Sequence, residues 1–189
     1  MNKQQLASKI WASANKMRSK IEANEYKDYI LGFIFYKFLS DKEEELLKKN
    51  DWTDEDIKNE LTEDNIEDKQ FVQQTLGYFI AYKNLFSTWI SPNSDFDASQ
   101  VTDALLAFER NVYRTHHKVF DKIFNTLQTG LSKLGDTNGA RTKAILALLK
   151  LIKDIPTDDS QDYDVLGFIY EYLIGNFAAN AGKKAGEFY

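Results

Sequence analysis

The sequence predicts an all-α protein, a multi-helix bundle of about eight helices with a short extended C-terminal tail. Three observations carry that expectation. Only two prolines, Pro92 and Pro156, interrupt 189 residues rich in helix formers. Apolar side chains recur at three- and four-residue steps in one segment after another, the period of a helix buried on one side. The strands that a nucleotide-binding α/β sheet needs are missing.

Leu6, Ile10, Ala14, Met17 and Ile21 form the first apolar stripe. Ten of the fourteen residues 26–39 are apolar or aromatic, which leaves no polar face. They predict a buried central helix that continues into "DKEEELLKK" as it emerges into water. A strand over residues 33–38 is the alternative, but length and flanking helix formers favour helix. Thr53 ahead of Asp54, Glu55 and Asp56 is a hydroxyl cap with acids in the first turn. A helix over residues 67–76 stops at Gly77, and "YFIAYKNLFSTWISP" predicts a short extended piece, then a helix ending before Pro92. Asp97 caps a helix whose Val101, Leu105, Phe108 and Val112 share a face. Val119, Ile123, Leu127 and Leu131 make the next, closed by Gly135. Thr137 opens a helix that ends at Pro156, and Asp164 caps the last, with Gly182 just past its end. No internal repeat, low-complexity tract or sustained heptad appears.

The 43% hydrophobic and 28% charged fractions are those of an ordinary globular protein. Cysteine is absent, which excludes disulfides, thiolate zinc sites and cysteine nucleophiles. His116 and His117 are the only imidazoles; adjacent on a helix, they cannot share a metal, and they read as a solvated helix junction. The longest apolar run, residues 29–36, falls far short of the roughly 20 that cross a membrane, and no signal peptide precedes it. The expected compartment is the cytoplasm. Neither Gly-x-Gly-x-x-Gly nor a Walker loop occurs, so nucleotide hydrolysis has no support. Glu43, Glu44, Glu45, Asp54, Glu55 and Asp56 read as a solvated face, lacking the apolar flank that acid–base work requires. Glu171, inside "GFIYEYLIG", is either paired or on a thin polar stripe. The aromatic groups Tyr26, Tyr29, Phe33, Tyr36 and Phe168, Tyr170, Tyr172, Phe177 sit at helical spacing and read as core. The residues by themselves reveal no active site.

Two stretches go beyond generic helix: "ANEYKDYILGFIFYKFLSDK" (residues 23–42) and "DYDVLGFIYEYLIGNFAANAGKKAGEFY" (residues 162–189). Both resemble the modification subunit of type I restriction-modification systems, an adenine-specific DNA methyltransferase, and "LGYFIAYKNLFS" (residues 76–87) fits the same N-terminal helical domain. The resemblance covers essentially the whole chain. In the family, a glycine-rich turn runs into Glu or Gln, two aromatics, Thr and Pro. Here the sequence given stops at Tyr189, ahead of Thr-Pro, so an N-terminal fragment is expected. The implied organisation is a helical domain over residues 1–180 and, at 181–189, a truncated linker into an α/β catalytic domain. Glu187, Phe188 and Tyr189 would contact S-adenosylmethionine in the full subunit. The methionine-side glycine loop and the Asn/Asp-Pro-Pro-aromatic motif that grips a flipped adenine do not occur in these residues. The fragment is therefore expected to be inactive and to bind the cofactor negligibly.

The implied reaction of the full subunit is methyl transfer from S-adenosylmethionine to N6 of adenine in duplex DNA. Its implied partners are a specificity subunit, a second modification subunit and the restriction subunit, with the helical domain clamping DNA and joining subunits. Charge suggests which residues meet phosphate: Lys3, Lys9, Lys16, Arg18 and Lys20, then Arg110, Arg114 and Lys118. Residues 41–69 hold 13 acidic and five basic side chains and are expected to face solvent or a protein. The rival reading is a free-standing helical protein-interaction module docking through its apolar terminal segment.

Overall fold

The computed structural model describes residues 3–17, 23–116, 124–155 and 171. Eight α-helices and three short 3-10 turns occur among them, with no strand. The helices are α1 (Lys3–Met17), α2 (Ala23–Lys49), α3 (Asp54–Glu60), α4 (Ile66–Leu76), α5 (Phe86–Trp89), α6 (Ala98–Asn111), α7 (Asn125–Gly130) and α8 (Asn138–Ile152). The all-α expectation holds.

Helix α2 organises the rest. At 27 residues it is about 40 Å long, and α1, α5, α7 and α8 all pack against it. Because its sequence offers no polar stripe, it is covered on every side, and none of residues 28–47 is exposed. Residues 33–38 lie within it, so the strand alternative fails. The close approach of α7 depends on Gly32, where a Cβ would stand 2.8 Å from Leu127 Cγ.

One expectation for α2 is corrected. The acidic run after Leu39 does not simply emerge into water: Glu43 is completely buried, and residues 41–46 are at most partly exposed. The covering comes from residues 78–81, "YFIA", an extended buried stretch. An extended backbone in a core must find partners for its polar groups, and α2 supplies several. The Ile80 N–H donates to Glu43 Oε1 at 2.8 Å, and the Phe86 N–H donates to Ser40 Oγ at 2.9 Å. The Tyr78 hydroxyl donates to the Leu39 carbonyl at 2.7 Å, and the Tyr36 hydroxyl to the Asn84 carbonyl at 2.8 Å.

The caps form as the sequence predicts. Thr53 Oγ1 accepts the Asp56 N–H at 3.1 Å while Asp56 Oδ2 accepts the Thr53 N–H at 2.9 Å, a reciprocal capping box. Asp97 accepts from the Ser99 N–H at 2.7 Å, and Thr137 from the Ala140 N–H at 3.1 Å. Gly77 ends α4 with φ at 90°, a left-handed turn that glycine takes without steric cost. Helix α5 is only four residues and stops short of Pro92, preceded by the 3-10 turn Tyr82–Asn84. Val101, Leu105, Phe108 and Val112 are all buried, as their shared face implies. In the next stripe Leu127 and Leu131 are buried, but the described helix there is short and passes into a 3-10 turn, Leu131–Leu134. Val119 and Ile123 lie outside the described residues, as does the final helix except for Glu171, which is helical and exposed.

The aromatic residues Tyr29, Phe33 and Tyr36 are core, as expected. Tyr36 stacks on Trp89 with ring centroids 4.9 Å apart, and Phe124 meets Phe108 edge-on at 5.2 Å. Such pairs contribute about 0.5–1.5 kcal/mol each beyond the area they bury. Tyr26 and the group from Phe168 to Phe177 fall on residues whose side chains are not described. No helix of the described residues is long and apolar enough to cross a membrane.

Candidate nucleic-acid interface

Of the eight basic residues expected to meet phosphate, three have described side chains. Lys9 lies on α1, whose Leu6, Ala7 and Ile10 turn into the core and so direct Gln4, Gln5 and Ser8 outward. These four polar residues line an open cleft of about 450 Å³. Lys9 Nζ stands 3.4 Å from Asp154 Oδ2, just beyond the end of α8. Both side chains are well exposed, and a pair of that kind is worth about 0–1 kcal/mol. A phosphate could displace it at little cost.

Arg110 sits in the last turn of α6, where a cation also favours the helix dipole. Its guanidinium faces Glu63 squarely, with Nη2 at 2.7 Å from Oε1 and Nε at 3.3 Å from Oε2. The Arg110 hydrogen bond draws the Glu63 carboxyl below the ordinary carboxylate range. Arg110 is therefore matched to an acid of the segment, residues 41–69, expected to face solvent or a protein. Arg114, in the 3-10 turn Arg114–His116, is exposed. Lys3 and Lys16 belong to α1, with undescribed side chains; Arg18, Lys20, Lys118, Glu187, Phe188 and Tyr189 lie outside the described residues.

His116 is partly exposed at that junction. Its ring packs over Gly77, where a Cβ would stand 2.6 Å from Cδ2, and the Tyr113 N–H donates to the Gly77 carbonyl at 2.9 Å. The histidine thus joins the end of α4 to the end of α6.

The acidic residues also divide in a way the sequence did not show. Burial pushes the Glu43 carboxyl well above the ordinary carboxylate range; the Ile80 N–H opposes this, and the charge of Glu44 adds to it. Glu43 Oε2 has no protein partner. Glu44 is raised too, by partial burial first, against the pull of its 2.7 Å hydrogen bond from Ser87 Oγ. Glu43 has the apolar flank that was thought absent, but it stands in a closed core, and its one hydrogen bond holds backbone. That is a structural post. No cluster of three potential metal ligands occurs among the described residues.

The described residues form an all-α body with a buried acid, Glu43, turned inward and cations on its surface. The comparisons supply the family. The HsdM N-terminal domain family matches residues 6–142, and the N-6 DNA Methylase family matches residues 161–189. The chain belongs to the HsdM N-terminal domain family. It is 28% identical, over 96% of its length, to the type I restriction enzyme MpnII methylase subunit of Mycoplasma pneumoniae. The MjaIX methylase subunit of Methanocaldococcus jannaschii is 25% identical over the same share. A crystal structure of the methyltransferase subunit of a type I restriction-modification system from Streptococcus thermophilus superposes with a TM-score of 0.75 at 29% identity. That likeness covers 97% of this chain and 40% of the other. The chain spans 36% and 32% of the two methylase subunits' lengths, about a third of each.

Proposed function

We propose that this chain is the N-terminal helical part of a type I modification subunit. The full subunit transfers a methyl group from S-adenosylmethionine to N6 of adenine in DNA. The supporting observation is the order of the two family matches: the HsdM N-terminal domain over residues 6–142, then the N-6 DNA Methylase family over residues 161–189. Residues 1–180 form the scaffold and residues 181–189 lead toward the catalytic domain, with Glu187, Phe188 and Tyr189 contributing one edge of the cofactor pocket. The partners are duplex DNA, a specificity subunit, a second modification subunit and the restriction subunit.

The 189 residues alone carry no methyl transfer and hold S-adenosylmethionine negligibly. The motifs that grip the cofactor's methionine end and the flipped adenine are not in the sequence. Calorimetric titration of this polypeptide with S-adenosylmethionine is expected to give no measurable heat, whereas the intact subunit binds and, with its specificity subunit, methylates adenine. Micromolar binding by the 189 residues, or an intact subunit that never methylates DNA, overturns the reading.

The scaffold's contribution to DNA binding is electrostatic. Lys3, Lys9, Lys16, Arg18, Lys20, Arg110, Arg114 and Lys118 hold the phosphate backbone without reading sequence. Within that set the exposed Arg114 acts directly. Lys9 and Arg110 must first exchange Asp154 and Glu63 for phosphate.

A further inference from the structure

The end of α8 is held from two sides. Lys37, on α2, is only 7% exposed. Its Nζ donates to the Ile155 carbonyl at 3.0 Å and to Asp41 Oδ2 at 2.7 Å, and lies 5.9 Å from the centre of the Phe86 ring. Next door, Lys9 of α1 reaches the carboxylate of Asp154 at 3.4 Å. Two successive residues just past α8 are thus tied to two different helices. Ile155 is itself buried.

A lysine is rarely buried this far unless paired. A backbone carbonyl buried beyond the end of a helix needs a donor, and the Lys37 ammonium supplies one to Ile155. Yet apolar residues in place of the whole Lys37–Asp41 pair would pack here about as stably, because buried ion pairs seldom surpass hydrophobic packing. What the ammonium adds is direction: two hydrogen bonds and one aromatic face locate Ile155 relative to α2. The residue that follows is Pro156, whose fixed φ limits how the chain can swing. Five residues later begins the match to the N-6 DNA Methylase family.

We propose that Lys37 is a positioning residue: with Asp41 and Lys9 it fixes where the chain leaves α8, so that the helical body and the methyltransferase part hold one orientation. The second half of this inference rests on the function proposed above, and its test separates the two.

The first arm is limited proteolysis of the 189-residue chain. Lys153, in the clamped turn, and Lys58, in α3, are both exposed tryptic sites. Lys37→Met keeps the bulk and removes the charge. It is expected to speed cleavage after Lys153 roughly tenfold relative to cleavage after Lys58, because only the clamped turn opens more often. Equal acceleration at both sites would mean general loosening and would overturn the proposal. In the intact subunit with its specificity subunit, Lys37→Met is expected to lower kcat severalfold with KM for S-adenosylmethionine unchanged, and Lys37→Arg to recover most of kcat. An unchanged kcat beside faster cleavage at Lys153 overturns the positioning role. If the unsubstituted subunit methylates nothing, the functional reading fails, and the cleavage ratio alone decides the clamp. Should Lys37→Met fail to fold, Asp41→Asn keeps the ammonium and its carbonyl bond and carries the same comparisons with smaller ratios.

Discussion

At the scale of single residues, Glu43 departs furthest from what a sequence reader expects. Its raised carboxyl makes folding prefer the protonated form, so the sign of its pH dependence follows. The stability it lends is full below the ordinary glutamate value of about pH 4.3 and is lost as pH rises toward the folded-state value. Glu43→Gln keeps an oxygen for the Ile80 N–H and does not titrate. In denaturant melts the variant is expected to gain on the parent by about 1.4 kcal/mol per pH unit above pH 4.3, until the folded-state value is reached. A constant difference between pH 5 and pH 7 would refute a raised Glu43 carboxyl. Sequence could not reveal this, because what buries Glu43 is a stretch 37 positions further on. Tyr36 and Tyr78 are driven upward by the same burial, with the Glu43 charge adding to it, so both hydroxyls stay protonated and keep their carbonyls. The burial of Lys37 and the pairing of Arg110 were illegible for a like reason: the Ile155 carbonyl and Glu63 lie 118 and 47 residues away.

At the scale of elements, the readable features were those whose physics is local. Thr53, Asp97 and Thr137 each cap within three residues, and Gly77 ends α4 because the turn wants a left-handed backbone. Helix α3 is the sharpest test of capping: seven residues, one buried side chain inside it, Ile57, and a full capping box. Thr53→Ala is expected to cost about 0.5–2 kcal/mol, visible as a lower midpoint in urea with an unchanged slope. A loss under about 0.2 kcal/mol would show that Ile57 alone holds α3. The segment after Gly77 was only half legible. An extended piece followed by a short helix was predicted, but not that α2 would supply its hydrogen bonds. Likewise, the pattern showed that α2 is buried all round without showing where its charged end goes.

At the scale of the whole molecule, charge is sorted by partner as well as by position. Arg110 is held by an acid, while Arg114 stands exposed in the 3-10 turn that follows α6. Charge reversal should therefore be unequal in the assembled enzyme. Arg114→Glu is expected to weaken DNA binding severalfold and to reduce the slope of log affinity against log salt by about 0.9, the value of one phosphate contact. Arg110→Glu is expected to lower the stability of the domain as well, since it faces Glu63 with a second acid; a filter-binding salt series beside a thermal melt separates the two. An unchanged slope for both variants would remove the end of α6 and the turn after it from the DNA surface. Helix α2 carries a last consequence. Since α1, α5, α7 and α8 share it as a common wall, detaching any one of them uncovers a buried face of α2. Helices α3 and α4 stand outside that arrangement, moored by Ile57, Leu61 and Val72 and by bonds from Gln73 to Asn111 and from Tyr113 to Gly77. Amide protons there can exchange through a partial opening, whereas those of α2 must wait for the entire body to melt.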